Sequence, residues 1–589
     1  MKNIPARTTN IELRLRGAIT LLEQGKNQQA RIALEKLLLR SPRNFNVLHL
    51  LGAAAFSLKD YQVAIDFIEK ALKIQPDSAP ACLNLGLSFN ELKQFTAAIP
   101  AFDRAIEIKP DYAQAHWGRG CAKQGQNQMA DALLSFGKAI QTKPDYYDAY
   151  IDAGNILRIM NPAAAVAAYS KAIELKPEGP APYANCAAAL LYLHQFQAAV
   201  AHCDRAIELE PSNAGFHINR ANALQQLRDT PGALASIDQA IKINPDYAEA
   251  HQNKAFIMLE AGRYDEGWAL YECRWKTDGN KNEPKFDQPL WLGAEPLHGK
   301  TILLRHEQGL GDTIQFCRYA RLVAEKGARV VLQVQRPLRA LLEGLAGVSE
   351  VIAGNDPLPA FDYQCPLLSL PLAFKTRPET IPSFPRYIQP DTTKVSLWKQ
   401  RLGEPRNLRV GLVWSGGFRP DRPEHWEVNE RRNMPFAQLS ALDGQNIDFF
   451  SLQKGELAKS DAESEWKQIL AEGWSGPAIS DHTNELKDFS DTAALIENLD
   501  LVISVDTSTA HLAAAMGKPV WLLNRFDSCW RWFLDREDSP WYPSVRIYRQ
   551  ERMGDWQPMI ERVRQDLLTL AGTRAMAGAA PFANQSTGH

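Results

Sequence analysis

The chain has 589 residues, 45% of them hydrophobic and 23% charged, with Lys+Arg 66 against Asp+Glu 68 for a formal charge of −2. That length corresponds to about four domain-sized units at roughly 150 residues each. The composition excludes collagen, a disordered tail protein and a small disulfide scaffold, and the even charge excludes a global basic field for nucleic acid or an anionic membrane. Eight cysteines lie scattered from Cys82 to Cys529 with no CxxC or His-Cys cluster, so neither a metal site nor a disulfide framework is expected and a reducing compartment fits. The first residues, MKNIPARTTN, lack the apolar core of a signal peptide, and no apolar run approaches the ~18 residues of a membrane span. A cytoplasmic protein without membrane insertion is expected.

In chain order, the first half repeats a phrase: ALKIQPD, AIEIKPD, AIQTKPD, AIELKPE, AIELEPS, AIKINPD. Its prolines are Pro76, Pro110, Pro144, Pro177, Pro211 and Pro245, with an earlier relative at Pro42, at intervals of 34, 34, 34, 33, 34 and 34 residues. Self-similarity at this period predicts an array of helix pairs and resembles the tetratricopeptide repeat. Small residues (Gly86, Ala98, Ala105) mark where paired helices touch, Phe102 fills the gap between them, and proline closes each second helix. Seven repeats are expected over about 11–247, with an atypical eighth near 248–275. The first helix of each pair should line the inner surface of a superhelix. Its sixth position is Asn84, Asp152, Asn185, Asn219 and Asn253 in five repeats, interrupted by Leu50 and Gly118. Such a row can hydrogen-bond an extended peptide backbone without reading its sequence; it resembles the asparagine ladder of protein O-GlcNAc transferases. The alternative is that these amides simply face water.

A seam closes the repeats. Of 14 Trp, only Trp117, Trp268 and Trp275 precede residue 276. Trp268, Tyr271 and Trp275 replace the small-residue scheme of the eighth repeat and are expected to dock the array (1–275) onto the second half of the chain, across a linker at 276–298. Beyond it, TILLR (301–305), ARVVLQV (328–334), LRVGLVW (408–414), IDFFSL (447–452) and LDLVISV (499–505) read as buried strands separated by amphipathic segments. Parallel sheets with helices on both faces are the expected architecture.

Ligands in such sheets gather beyond the carboxyl ends of the strands, which makes three loops informative. After TILLR come His306, Gly309, Gly311, Asp312 and Thr313, then a helix; the glycines admit close backbone approach, while Asp312 could also be a simple helix cap. After LVISV come Asp506, Thr507, Ser508, Thr509 and His511, opening a short Ala-rich helix ended by Gly517 and Pro519. Three hydroxyls with free helix N–H groups make a cradle for a diphosphate, more than capping needs. After the VW strand come Ser415 and Gly416, then Arg431-Arg432-Asn433-Met434-Pro435, with Gln453 and Lys454 ending the next strand; the cations can neutralise a leaving diphosphate. The aromatic, arginine-rich closing segment is read mostly as packing, with Trp530, Arg531 and Trp532 kept as candidate substrate contacts.

Together these residues resemble glycosyltransferase family 9, the heptosyltransferase group, over roughly 299–572. The resemblance rests on Gly311-Asp312-Thr313 and DTSTAHLAAAMGKP. It implies a GT-B-like pair of Rossmann-type lobes at 299–390 and 391–572, so that the fold class is an all-α repeat superhelix followed by an α/β domain. It also implies Asp312 as general base, Asp506, Thr507, Ser508 and His511 against the nucleotide diphosphate, and Arg432 in place of a family lysine; if Asp312 is not the base, His306 is the next candidate. Ser508 stands where the family has glycine, so ADP-heptose specificity is not carried over. The chain contains no Asp-x-Asp, and transfer without a metal or other cofactor, with inversion by resemblance, is expected. The layout resembles protein O-GlcNAc transferases. A transferase that uses a nucleotide-diphosphate sugar on a protein Ser/Thr hydroxyl is therefore the leading expectation; an inactive scaffold and a saccharide or lipid-linked acceptor are the alternatives. Residues 573–589 are expected to be a disordered tail.

Overall fold

The computed structural model describes residues 5–277, 286–354, 356–417, 426–454 and 474–577. The chain forms two compact units, Met1–Pro245 and Asp246–His589. Among the described residues the first unit is all helix, from Pro5–Glu23 to Thr230–Ile243, arranged as seven antiparallel pairs. Bulk on one helix is matched by its absence on the other. A Cβ added to Gly52, Gly86, Gly120 or Gly154 would lie 2.4, 2.7, 2.5 or 2.6 Å from the side chains of Ile68, Phe102, Phe136 or Tyr169 on the partner helix. Second helices stop before proline because its ring drives the preceding residue into extended backbone; Lys109, ahead of Pro110, has φ −135° and ψ 91°.

The single 33-residue interval has a visible cause. The turn inside six pairs is made by one residue at positive φ: Gly25, Lys59, Lys93, Asn127, His194 and Arg228. The fifth pair, Tyr147–Met160 and Pro162–Leu175, lacks that residue. Asn161 at φ −155° joins the helices directly and caps the second by accepting from the Ala164 N–H at 3.1 Å.

The second unit begins before the expected seam at 275. Its first helices, Ala248–Glu260 and Tyr264–Tyr271, share a buried cluster with the sheets, and Trp268 meets Phe316 and Trp530 edge-on at 6.2 and 5.2 Å. Aromatic bulk thus ties the eighth helix pair to the sheets. The expected linker is likewise partly built in. The Trp291 N–H donates to Gln364 at 2.9 Å, the Gln364 N–H donates to Pro289 at 3.1 Å, and Trp291 and Leu297 are buried.

The rest of this unit is built on two parallel sheets. β1 (Thr301–Arg305), β2 (Arg329–Val334), β3 (Glu350–Ala353) and β4 (Tyr363–Pro366) are ordered β3-β2-β1-β4. β5 (Leu408–Val413), β6 (Ile447–Ser451), β7 (Ile479–Asp481), β8 (Leu501–Val505), β9 (Val520–Asn524) and β10 (Val545–Arg549) are ordered β10-β9-β8-β5-β6-β7. Counted within the sheet, the second order is that of a doubly wound α/β fold, whose direction reverses between β5 and β8. The first sheet reverses between β1 and β4. The helix Gln557–Ala577 lays Met559, Ile560, Val563 and Leu567 into the same core cluster as β5 and β8. It runs past the expected start of a disordered tail at 573; the rest of that tail lies outside the described residues.

Candidate active site

The loop after β1 enters the helix Leu310–Phe316 through Gly309, whose N–H donates to Asp312 Oδ2 at 2.8 Å. Asp312 therefore does cap the helix, with one carboxylate oxygen. Its other oxygen accepts from Arg531 Nη2, across 219 residues of sequence. Gly311 carries the approach of a second loop: a Cβ there would lie 2.9 Å from His511 Cδ2 and 3.5 Å from Ser508 Cα. A side chain at 311 would push the two helix starts apart.

That second loop leaves β8 and opens the helix Ser508–Ala515. Thr507 caps it, Oγ1 accepting from the Ala510 N–H at 3.4 Å and lying 3.0 Å from Ser504 Oγ. Ser508 and Thr509 are half-buried at the helix start, where the dipole favours an anion. His511 is held on three sides: Nδ1 lies 2.9 Å from Tyr542 Oη, Nε2 lies 3.6 Å from Asp506 Oδ1, and the ring stacks on Trp532 at 5.3 Å. Burial pushes the Asp506 carboxyl up, but the His511 hydrogen bond and the charges of His511, Arg432 and Arg531 outweigh it and hold the group well below the ordinary carboxylate range.

The third loop leaves β5. Ser415 is buried, its hydroxyl directed to the Gly416 carbonyl at 3.2 Å, and the Gly416 N–H donates to Asn433 at 2.8 Å. The Arg432 guanidinium lies against Gly416, where a Cβ would be 2.2 Å from Nη2, and it donates to Asn429 at 2.7 Å. Gln453 holds this loop rather than facing it: Oε1 accepts from the Trp414 and Ser415 N–H groups at 3.1 and 2.9 Å, and Nε2 donates to the Ser415 carbonyl at 3.0 Å.

Of the residues expected at a site, Asp312, Gly311, Asp506, Ser508, His511 and Arg432 are brought into one neighbourhood. Thr313 is buried instead, its hydroxyl donating to Gln335 at 2.8 Å. Lys454 is exposed. His306 directly follows β1 and is half-buried, and burial with the charge of Arg305 lowers its imidazole pKa. The residue that joins the set is Arg531, kept from sequence only as a secondary substrate candidate within a segment read mostly as packing. It stacks over Trp530 at 4.3 Å and donates to Gln315 Oε1 at 2.9 Å as well as to Asp312. Phe533, two residues on, has φ 55°, a conformation costly for a bulky side chain and concentrated at functional sites. Among the described residues no group of three or more His, Cys, Asp or Glu is arranged to hold a metal ion, and no helix is long and apolar enough to cross a membrane.

The expected polar row divides. Asn84, Asp152, Asn185 and Asn219 belong to the first unit and Asn253 to the second. Asn84 Nδ2 lies 3.1 Å from His49 Nε2, Asp152 accepts from Trp117 Nε1 at 2.7 Å, and Asn185 donates to Asn155 at 3.2 Å. Each bond joins the first helices of neighbouring pairs, so these groups link one pair to the next.

Residues 485–525 match glycosyltransferase family 9 (heptosyltransferase), a stretch that includes Asp506–His511 and excludes Asp312, Arg432 and Arg531. Tetratricopeptide-repeat families match residues 15–79 and 187–248, 79–112 and 237–269. The chain thus carries tetratricopeptide repeats together with a stretch that matches glycosyltransferase family 9. It is similar to Protein FlbA of Caulobacter vibrioides (strain ATCC 19089 / CIP 103742 / CB 15), 29% identical over 347 residues, which cover 54% of this chain and 55% of that protein; the match thus spans about half the length of that relative. Among solved structures it is similar to YrrB, described as a TPR protein with an unusual peptide-binding site (21% identity, TM-score 0.30, 32% of this chain and 97% of that one). It is also similar to MamA (26% identity, TM-score 0.26, 27% and 94%).

Proposed function

We propose that the second unit is a GT-B-type glycosyltransferase that moves a sugar from a nucleotide-diphosphate donor to a Ser or Thr hydroxyl of a protein held by the repeat array. The observation that carries this is the Asp312–Arg531 pair, which gathers loops from the strand ends of both parallel sheets around one carboxylate and one cation. In the proposed step Asp312 takes the acceptor hydroxyl proton as that oxygen attacks the anomeric carbon. The bond from that carbon to the donor phosphate breaks, and the diphosphate leaves with the electron pair. A single displacement of this kind inverts the anomeric centre. The leaving charge meets the Ser508 and Thr509 N–H groups, Arg432 and Arg531, which do the work a metal would otherwise do. Asp312 spends two of its roughly four lone-pair sites on Gly309 and Arg531, which leaves lone pairs with which to accept the proton in the proposed step.

The free thiols of all eight cysteines agree with a cytoplasmic setting. The test is intact-mass analysis of cellular proteins with the wild-type gene, without it, and with Asp312→Ala. The proposal predicts hexose-sized or related increments that occur with the wild type alone. Increments on a saccharide or lipid-linked acceptor, with none on protein, would replace the acceptor; increments that persist in Asp312→Ala would remove the base.

A further inference from the structure

We propose that Arg274 is a positioning residue for this transfer, holding the Asp312 loop in place through a buried ion pair with Glu307; the role rests on the transferase reading above. In a doubly wound sheet, the crevice beyond the strand ends at the point of reversal is where a ligand enters. Between β1 and β4 that crevice is filled by the protein itself. Arg274, wholly buried, donates Nε and Nη2 to the two carboxylate oxygens of Glu307 at 2.6 and 3.1 Å. The same guanidinium donates Nη1 to Glu272 at 2.7 Å and Nη2 to Ser369 Oγ at 2.7 Å, and its carbon lies 4.8 and 4.4 Å from the rings of Tyr271 and Trp275. Glu307 lies two residues beyond β1 and Ser369 three beyond β4, so one side chain spans the ends of both strands.

From there the connection to Asp312 is short. Glu307 Oε1 also accepts from the Leu368 N–H at 3.0 Å. Its neighbour Gln308 donates to Tyr271 Oη at 2.8 Å and gives its carbonyl to Gln335 Nε2 at 3.0 Å; that same Gln335 accepts from Thr313. The loop is therefore pinned at 307, 308 and 313, and Asp312 closes its cap on Gly309 between those points. Lysine cannot reproduce this arrangement, because the planar fork grips Glu307 with two donors while a third reaches Glu272.

The test uses the full chain with Arg274→Lys and the charge-neutral pair Arg274→Met/Glu307→Gln, which leaves no carboxylate of that ion pair buried alone. Thermal unfolding, donor titration by calorimetry, and kcat and donor KM of transfer are measured. Both variants are expected to fold and to keep donor KM within about threefold of wild type, because the diphosphate cradle lies on the other sheet. The expected kcat is lower by about 100-fold in the double variant and about tenfold in Arg274→Lys, the scale of misplacing a reacting group by an ångström. If the double variant fails to fold, Arg274→Lys decides, since it keeps the charge and alters only the geometry. A folded variant with wild-type kcat, or a donor KM that rises in step with the loss of kcat, overturns the role. A wild type that neither binds nor turns over any nucleotide-diphosphate sugar overturns the transferase reading itself and this role with it.

Discussion

At Asp506, burial is the largest single influence and would raise the carboxyl pKa, yet the His511 hydrogen bond and the nearby cations bring it below the ordinary value. With the folded value below the unfolded one of about 3.9, the unfolded chain binds the proton first as pH falls. The stabilisation is complete above about pH 4 and is lost as pH drops through the folded value. The stability gap between wild type and Asp506→Asn, measured by urea unfolding, is therefore expected to be largest near neutrality and to narrow below about pH 4. A gap that widens in acid would refute the charge assignment.

Residues such as Asp506 and Asp312 are legible in sequence because a hydroxyl-rich or glycine-rich turn after an apolar run announces a strand end. Arg531 is not. Its segment reads mostly as packing, and Arg531 only as a secondary substrate candidate, because its partners, Asp312 and Gln315, come from another sheet's loop. Gln453 errs in the opposite direction. It sits at a strand end, as a ligand residue would, but its amide is used by three backbone groups of the neighbouring loop.

Among whole elements, the helix pairs are the most legible, since one packing rule generates them: a small residue on the first helix faces a large one on the second. Phe102 tests that rule, because it touches Gly86 in its own pair and Gly118 in the next. Phe102→Ala should open a cavity on both sides and destabilise the array by about 3–5 kcal/mol in denaturant unfolding. A loss under about 1 kcal/mol would mean that the pairs collapse freely onto the gap. Even the 33-residue interval carries structural content, since it marks the pair whose turn lacks a left-handed residue. Strands are less evenly legible. β5 and β8 read as apolar runs because both their faces are covered, and all their residues are buried. β3, β4 and β7 span only four, four and three residues, too short for a pattern to emerge. β10 carries Arg546 and Arg549 and so breaks the apolar run expected of a buried strand.

For the whole molecule, the near-zero charge gains meaning from the fold. With no long-range field to draw in an anion, the transferase reading requires donor affinity to arise locally, from the 506–509 turn, Arg432 and Arg531. The division into units makes the same point about construction. The eighth helix pair continues the repeat series in sequence but is packed with the sheets by Trp268. Sequence periodicity cannot reveal this, because the period reports the spacing of helix pairs while aromatic burial decides which core they join. The most direct measurement is titration calorimetry of the whole chain with ADP-, UDP- and GDP-sugars, on the wild type and on Arg432→Ala. The transferase reading predicts that one class of nucleotide-diphosphate sugar binds, and that Arg432→Ala weakens it by about tenfold or more, the cost of a lost charge-assisted phosphate contact. Binding of none of them to the wild type, or equal affinity in the variant, would contradict it.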